Sequence, residues 1–456
     1  MELIEKGNER AAKLSEALRP DPKALYRLSA FVYLYSENGV HLAANTLTGQ
    51  VLRLDARERA ALDALEAGPL SWAYLAEQGL GELAKRRFLV ERDWDDTEQD
   101  RQTRALIKLM NPEKPGIARY TILPTTACNA RCTYCFEEGY PILTMTERTA
   151  ARLVDYICET KREGKIRLHW FGGEPLLCPG TIRAICRELT ARGVDFYSSV
   201  VTNGSLLTPA LVQEARELWR LEKAQISLDG DRESYRLRKR YLDQSVDQYD
   251  VVMRNTRLLA EAGVEVSLRV NCDRENLAGL KGFFEEMNAL LGDLEGVSLY
   301  LSTLDGDREA PDAAALERAL ARYTDLLEAL APRLAEKAAF GSIRLRACIA
   351  DDVEHNVSVS PDGGLYGCAA CLPGQSWGNL FDGVTDEALY ARMRTPAAPR
   401  EECRRCLFLP QCTPALRKIC PRTGTAEACR ELRRLNLERF LHGLIREKEA
   451  KPQNVH

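Results

Sequence analysis

The chain has 456 residues, of which 45% are hydrophobic and 29% charged, and its formal net charge is −4 at pH 7. That composition is typical of a soluble protein of two or three domains, and it provides no basic field for nucleic acid. No apolar run approaches the roughly 18 residues that a membrane span needs, and the start lacks the pattern of a signal peptide. We therefore expect a cytoplasmic protein with neither a nucleic-acid nor a membrane partner.

The first hundred residues predict a small unit that contains both strands and helices. A polar helix over 9–18 precedes strands at 30–35, 40–43 and 50–54, helices at 56–67, 70–78 and 80–87, and a strand at 88–90. Strands followed closely by helices indicate a winged-helix-like domain over residues 1–98. The acidic run over 93–100 is typical of a solvated linker.

The next segment alternates between strand and helix patterns. Strands are predicted at 120–123, 166–171, 196–202, 224–228, 264–271 and 297–301, with helices at 147–163, 181–192, 209–221, 247–262 and 277–291. This alternation predicts an α/β fold with a parallel sheet and right-handed crossovers. Six strands do not complete an eightfold barrel, so we expect a partial (β/α)6 TIM-like barrel over 110–307. Its active residues should lie at the carboxyl ends of the strands.

Polar and glycine-rich motifs follow the first four predicted strands, and the fifth strand carries two polar residues. In chain order they are Cys128, Cys132 and Cys135; Gly172, Gly173 and Glu174; Asn203; Ser227 and Asp229; and Arg269 with Asn271. His169 lies inside a strand, where a core or supporting position is the simplest interpretation. Each motif alone also fits an ordinary turn or helix cap, but their common location predicts one site.

Fifteen cysteines are a large excess for a chain in a reducing compartment, and most of them fall in two groups. The first group is Cys128, Cys132 and Cys135, and the second is Cys348, Cys368, Cys371, Cys403, Cys406, Cys412, Cys420 and Cys429. Clustered cysteines in such a chain indicate metal ligands before disulfides. The isolated Cys158, Cys178 and Cys186 are expected to be small buried side chains, and Cys272 at a strand end is left open.

The first group offers three thiolates to a soft metal centre, such as zinc or an iron–sulfur cluster. A [4Fe–4S] cluster normally takes four thiolates, so three would leave one iron open to a small molecule. Cys-x3-Cys-x2-Cys with an aromatic before the last cysteine, here Tyr134, resembles the radical S-adenosylmethionine (SAM) enzymes. The resemblance implies that SAM binds the open iron and is cleaved to a 5′-deoxyadenosyl radical.

The same resemblance implies which residues contact SAM. Gly172, Gly173 and Glu174 match the motif at the SAM amino group, and Asn203, Ser227 and Asp229 resemble polar contacts to its ribose and carboxylate. The implied cation for that carboxylate is Arg238 or Arg240, while Arg269 and Asn271 are further polar candidates for SAM or substrate.

The second group resembles the SPASM extension of radical SAM enzymes. This implies two auxiliary [4Fe–4S] clusters over residues 345–432, three clusters in all. Auxiliary cluster I would take Cys348, Cys368 and Cys420 with Cys371 as a candidate, and auxiliary cluster II would take Cys403, Cys406, Cys412 and Cys429. Two departures, the late Cys420 and the extra Cys371, leave an open iron on the first cluster as an alternative. The second alternative is a structural zinc site with four cysteine ligands, Cys368, Cys371, Cys403 and Cys406. A linker helix is predicted over 308–344 and a C-terminal helix and tail over 433–456.

These features together resemble maturases of ribosomally made peptides. The resemblance implies a precursor peptide whose leader is captured by the N-terminal unit, an electron donor of the flavodoxin or ferredoxin type, and formation of a cysteine thioether. The alternatives are carbon–carbon or ether cross-linking, and oxidation of a sulfatase-type residue to formylglycine. From a different class, a non-catalytic iron–sulfur or zinc protein that binds a peptide also fits, as does a packing role for the N-terminal unit.

Overall fold

A computed structural model describes residues 1–110, 114–304, 312–336, 349, 352–371, 374–394, 399, 401–412 and 426–450. Cys348 and Cys420 lie outside the described residues, and so does the side chain of Cys371. Within those ranges no helix is long and apolar enough to cross a membrane.

The N-terminal unit contains two small antiparallel sheets flanked by short helices. Its elements are β1 (Glu2–Glu5), α1 (Glu9–Glu16), β2 (Leu25–Leu28), β3 (Val32–Glu37), β4 (Val40–Asn45), β5 (Val51–Leu54), α2 (Ala56–Asp63), β6 (Leu70–Ser71), α3 (Trp72–Glu77), α4 (Gly81–Lys85) and β7 (Leu89–Glu91). The sheet orders are β1-β5-β4-β3 and β6-β2-β7. Tyr26, Leu75, Leu83 and Phe88 are fully buried between them. A winged-helix shape for this unit stays a prediction.

The acidic segment after this unit is helical, so the prediction of a solvated linker over 93–100 was wrong. Helix α5 spans Asp96–Met110. Asp96 is only 7% exposed, and it accepts hydrogen bonds from the Arg27 guanidinium and the Ser29 hydroxyl, each at 2.7 Å. Asp100 is buried too and pairs with Arg104 at 2.8 Å. These carboxylates are buried because each has a cationic partner that the linear sequence does not reveal.

The barrel follows the predicted alternation. Its strands are β8 (Arg119–Ile122), β9 (Ile166–Trp170), β10 (Phe196–Thr202), β11 (Leu221–Leu228), β12 (Glu265–Cys272) and β13 (Val297–Thr303). Its helices are α6 (Glu147–Thr160), α7 (Pro179–Ala191), α8 (Pro209–Glu217), α9 (Arg232–Lys239), α10 (Gln248–Glu261) and α11 (Leu280–Leu291). All adjacent pairs of these six strands are parallel, in the order β13-β12-β11-β10-β9-β8. The predicted α/β fold with a parallel sheet is confirmed, and the sequence reading missed α9.

Side chains alternate between two environments along each barrel strand, as the period of two requires. Leu168 and Trp170 are fully buried in the core, whereas Arg167 and His169 face the other way and are partly exposed. The apolar set continues into the largest core of the chain. The inner face of the barrel is therefore polar and partly open.

Both edges of the six-stranded sheet are covered by later parts of the chain. Strand β14 (Asn356–Val359) pairs parallel with β8, and β15 (Gly364–Tyr366), β16 (Gly378–Asn379) and β17 (Gly383–Val384) extend the sheet antiparallel. On the opposite edge Ala335 forms a parallel bridge with Leu299. Helix α12 (Ala313–Leu330) lies within the predicted linker, and its Leu320 and Leu327 are buried in the barrel core.

The last described elements return to the N-terminal unit. They are α13 (Glu387–Arg394) and α14 (Ala426–Ala450), and α14 starts before the predicted 433 and includes Cys429. Arg104 donates to the carbonyls of Leu409 and Pro410 at 3.1 and 2.8 Å, and the Gln411 amide donates to the Thr46 carbonyl at 3.0 Å. The N-terminal unit therefore contacts the second cysteine group directly.

Candidate active site

The first three cysteines lie on the loop that follows β8. Backbone hydrogen bonds close this loop at its base, from Thr126 N to the Leu143 carbonyl at 3.0 Å and from Met145 N to the Pro124 carbonyl at 2.8 Å. Cys128 and Cys132 are half-buried and Cys135 is exposed. We call residues 123–145 the cysteine loop.

The glycine motif after β9 passes directly behind the cysteine loop. Gly173 N donates to the Thr125 carbonyl at 3.2 Å, and Glu174 N donates to the Ala127 carbonyl at 2.8 Å. A Cβ atom on Gly173 would lie 2.3 Å from the Ala127 oxygen, so only glycine permits this approach. Gly172 has a φ of +114°, which also favours glycine. The two glycines thus fix the back of the loop.

Glu174 is fully buried and joins two strand ends. Its carboxylate accepts hydrogen bonds from the Thr202 hydroxyl at 2.8 Å, Asn203 N at 2.7 Å and Leu176 N at 3.1 Å. Burial raises its pKa, although these donors oppose the shift. The Asn203 amide donates in turn to the Asn129 side chain at 2.8 Å. The Glu174 side chain thus positions Asn203 against the cysteine loop.

A second buried network anchors Tyr134. The Tyr134 hydroxyl is 2.8 and 2.7 Å from the two oxygens of the Asp229 carboxylate, and the Asn271 amide donates to Asp229 at 3.0 Å. The Lys239 ammonium lies 3.9 Å from the same carboxylate. Asp229 is fully buried and Lys239 is 3% exposed. Burial alone would lower the pKa of Lys239, but Asp229 and the surrounding groups raise it well above its usual value, so Lys239 stays charged.

The carboxyl end of α9 is bound to the cysteine loop through its backbone. Arg131 N donates to the Arg240 carbonyl at 3.0 Å and Thr133 N donates to the Arg238 carbonyl at 3.0 Å. Arg240 adopts a left-handed conformation with a φ of 47°, its side chain is exposed, and its Nε donates to Leu237 O at 3.2 Å. Arg238 is buried and pairs with Asp273 at 2.5 Å, while its Nε and Nη2 have no hydrogen-bond partner among the described residues.

The thiols of the loop fit a cluster by their chemistry. Burial raises the pKa of all three, to about 11 for Cys128, and Lys239 opposes this shift at Cys132. Metal binding displaces such thiol protons. In the described part of the chain, no three His, Cys, Asp or Glu side chains are close enough to share one metal ion. In a four-iron cluster each thiolate ligates a different iron, so the wider spacing is compatible with a cluster.

Residues 122–286 match the Radical SAM superfamily. This region contains a radical SAM domain. It begins in β8 and ends in α11, so the match includes the cysteine loop and every strand end described above. The prediction of a radical SAM domain is confirmed, and the SPASM extension stays a prediction.

Curated relatives of the radical SAM domain include a peptide-modifying protein. The PqqA peptide cyclase of Granulibacter bethesdensis is 25% identical over 269 residues, which are 54% of this chain and 66% of the cyclase. The AdoMet-dependent heme synthase of Methanosarcina barkeri is 32% identical over 108 residues, 23% of this chain and 29% of that protein. The chain thus spans less than two thirds of either relative.

Solved structures show the same fold. The structure of anSMEcpe with bound AdoMet covers 74% of this chain and 96% of its own, with a TM-score of 0.56 and 15% identity. A structure of anSMEcpe with AdoMet and the Kp18Cys peptide gives a TM-score of 0.52 at 17% identity, and covers 73% of this chain and all of its own.

The remaining predicted residues lie outside this network or at its rim. Ser227 is half-buried, and Arg269 donates to the Ser302 hydroxyl at 3.3 Å on the inner face of the barrel. His169 is hydrogen-bonded to Ser199 at 2.8 Å, and burial together with Arg119 and Arg167 lowers its pKa to about 3. Cys186 and Cys272 are fully buried, whereas Cys158 and Cys178 are only half-buried.

The described part of the second cysteine group lies in short turns. Cys406 N donates to the Cys403 carbonyl at 3.0 Å, and Cys412 follows the 3₁₀ turn Leu409–Gln411. Burial raises the pKa of Cys406, and the Cys429 thiol adds to this shift, so these two predicted ligands of one cluster are near each other. Cys368 is half-buried after β15. The number of clusters stays a prediction.

Sequence reasoning missed several residues that build the site. Lys239 is the buried cation beside Asp229, although Arg238 and Arg240 on either side of it were the predicted ones. Thr202 and Asn129 link the strand ends to the loop. The run of three basic residues at 238–240 is present in the sequence, but the sequence does not show that Arg238 and Lys239 are buried and Arg240 is exposed.

Proposed function

We propose that the chain is a peptide maturase that cleaves SAM reductively at the cysteine loop and modifies a precursor peptide. One observation carries the proposal. The cysteine loop is bound to the ends of β9, β10 and β11. The residues that bind it there belong to the motifs that resemble those of radical SAM enzymes. A [4Fe–4S] cluster on Cys128, Cys132 and Cys135, with SAM on its open iron, would supply the one-electron chemistry that yields a 5′-deoxyadenosyl radical.

The surrounding residues would hold SAM and keep water out. Gly172 and Gly173 bring backbone close behind the loop, while Glu174 fixes Asn203 next to it. Arg238 suits the SAM carboxylate better than the exposed Arg240, because its buried Nε and Nη2 donate to no other group among the described residues. Ser227 completes the proposed polar contacts, and the fully buried Asp229 would act through Tyr134, from whose hydroxyl it accepts a hydrogen bond.

The proposed substrate is a precursor peptide with a leader. Two similarities support this: a peptide cyclase is 25% identical over 269 residues, and the fold resembles that of a protein whose structure holds a peptide. In the N-terminal unit β3 is an edge strand, which offers unpaired backbone groups to an extended leader. The electron would come from a reduced flavodoxin or ferredoxin.

The proposed product contains a cysteine thioether. Bound SAM would supply a 5′-deoxyadenosyl radical that could remove a hydrogen atom from a peptide carbon, giving 5′-deoxyadenosine. Bond formation between that carbon and a cysteine thiol of the peptide would release one proton and one electron, and an auxiliary cluster held by the second cysteine group would accept the electron. The second cysteine group supports this route because the Cys429 thiol is close enough to Cys406 to raise its pKa.

The test uses anaerobically reconstituted protein with SAM, dithionite and the peptide encoded beside its gene. We expect 5′-deoxyadenosine and a peptide lighter by two hydrogens per cross-link, with one fewer cysteine that reacts with iodoacetamide. Unchanged peptide mass with continued SAM cleavage would reject cross-linking. About twelve iron atoms per chain and little zinc would support three clusters, and stoichiometric zinc would reject them.

The same products separate the alternatives. A carbon–carbon or ether bond also removes two hydrogens but leaves every cysteine reactive, and formylglycine reacts with a hydrazide. A non-catalytic peptide-binding protein gives no 5′-deoxyadenosine at all.

A further inference from the structure

Two arginine side chains lie next to each other on the inner face of the barrel. Arg119 in β8 and Arg167 in β9 are direct neighbours in the parallel register, and both are half-buried. Arg167 donates through Nε and Nη2 to the Ser199 hydroxyl at 3.1 and 2.9 Å. The buried Nε of Arg119 has no hydrogen-bond partner in the part of the chain that the structure describes. We call Arg119, Arg167, His169 and Ser199 the arginine cluster.

This cluster has an excess of positive charge. No carboxylate among the described residues pairs with Arg119 or Arg167. Burial and the neighbouring Arg167 lower the pKa of Arg119, and the Cys368 thiol opposes this shift. The two arginines also help to lower the pKa of His169 to about 3, so its ring adds no third positive charge near pH 7. Buried cations without a partner are costly, and proteins normally pair them. A bound anion would remove this cost.

An aromatic path connects the cluster to the cysteine loop. The ring of Phe136, directly after Cys135, is 6.2 Å from the ring of Phe171, and Phe171 is 6.0 Å from the His169 ring. A molecule bound at the arginines could therefore lie along these rings toward Cys135, where the radical would form. The apolar rings between the two ends suit the aliphatic part of a side chain.

We propose that Arg119 and Arg167 bind a carboxylate of the substrate peptide on the inner face of the barrel, below the cysteine loop. This inference rests on the proposed function, in which a peptide enters the barrel. A guanidinium presents paired donors that match the two oxygens of a carboxylate, and two adjacent guanidiniums bind one more tightly than either alone. An acidic side chain and a free peptide C-terminus both supply this group.

The test measures binding, so it does not require SAM cleavage. Anaerobic holoenzyme is heated with N-acetyl-glutamate N-methylamide, its neutral glutamine analogue, N-acetylglycine or inorganic phosphate, because a ligand of the folded state raises the unfolding temperature. We expect stabilisation by the carboxylates and none by the glutamine analogue. Stronger stabilisation by the glutamate compound would identify an acidic side chain as the bound group. Stronger stabilisation by N-acetylglycine would identify a peptide C-terminus.

Variants assign the effect to the arginines. R119Q and R167Q should weaken carboxylate binding roughly tenfold or more, and R167K, which keeps the charge but loses the paired donors, should weaken it less. R101Q, on the exposed face of α5, is the matched control and should bind as the parent does.

Several outcomes would overturn the assignment. They are equal stabilisation by the glutamine analogue, stabilisation by phosphate as large as by carboxylate, or carboxylate binding that survives in R119Q and R167Q. Altered electron paramagnetic resonance of the auxiliary clusters in both variants, with carboxylate binding unchanged, would assign the arginines to Cys368, which faces Arg119. A parent enzyme that binds carboxylate but never cleaves SAM would reject the proposed function alone.

Discussion

The two cysteine groups are held in different ways. The cysteine loop is bound by backbone hydrogen bonds to the glycine motif and to the segment after α9, with buried Glu174 and Lys239 beneath it. The described part of the second group lies in short turns that pack on the N-terminal unit and α14. The first group therefore depends on polar contacts inside one domain, and the second depends on contacts between distant parts of the chain.

Removing ligands from each group should give the largest and most distinct effects. C128A/C132A/C135A should abolish 5′-deoxyadenosine formation and lose about four iron atoms, since one cluster takes its thiolates from this loop. C403A/C406A should lose a similar amount of iron but still cleave SAM, with peptide cross-linking abolished. Iron analysis and chromatography of 5′-deoxyadenosine make the comparison. Loss of SAM cleavage in both variants would contradict independent sites.

Lys239 is the next most sensitive position. K239M removes the ammonium near Asp229 and leaves that carboxylate buried with only neutral donors, so the free energy of unfolding should fall by about 3 kcal/mol. R240M alters the adjacent exposed side chain and should have little effect. Denaturant unfolding of the two variants measures the difference. Equal stability of both would show that the charge of Lys239 does not support the loop.

Glu174 tests the polar contact between strand ends. E174Q replaces an acceptor of three hydrogen bonds with an amide that can accept at only one oxygen, which should cost about 2 kcal/mol. The control is E222Q, an exposed partner of Lys165, which should change stability by less than about 0.5 kcal/mol. Chemical denaturation gives both values, and an unaffected E174Q would reject a positioning role.

Arg104 tests the contact between helix α5 and the turn that precedes Cys412. R104A removes the donors to the Leu409 and Pro410 carbonyls, so the amides of Leu409 and Cys412 should exchange hydrogen faster. The cysteine loop should exchange as before. R101A, one turn away and exposed, is the control. Equal exchange rates in both variants would show that the hydrogen bonds of Arg104 do not stabilise the turn before Cys412.

The smallest effect is expected at Glu37, which joins β3 to α14 through His442 at 2.8 Å. The hydrogen bond from His442 lowers the pKa of Glu37 below its usual 4.5. A lowered carboxyl pKa stabilises the fold above pH 4.5, and this contribution is lost as the pH falls through the folded-state value. E37Q should therefore cost under about 1 kcal/mol near pH 7 and nothing at strongly acidic pH. Unfolding curves at the two pH values test the sign.

Local patterns predicted the barrel because each of its elements has a clear period. The predicted strand 196–202 matches β10, and the motifs follow the strands in the predicted order. Local sequence patterns do not show which residues pair across long distances in the chain. The partner of Asp96 is Arg27, and the partner of β8 is β14, far along the chain. Lys239 was missed for a similar reason, since its partner Asp229 lies at the end of another element.

The pairing of β14 with β8 also bears on how the chain folds during synthesis. β8 carries the cysteine loop at its end, but its outer neighbour is made only after α12 has left the ribosome. Until Asn356–Val359 arrives, the outer side of β8 is an open sheet edge, which other chains can extend. A fragment that ends before Asn356 should therefore aggregate even though it contains all of the radical SAM domain.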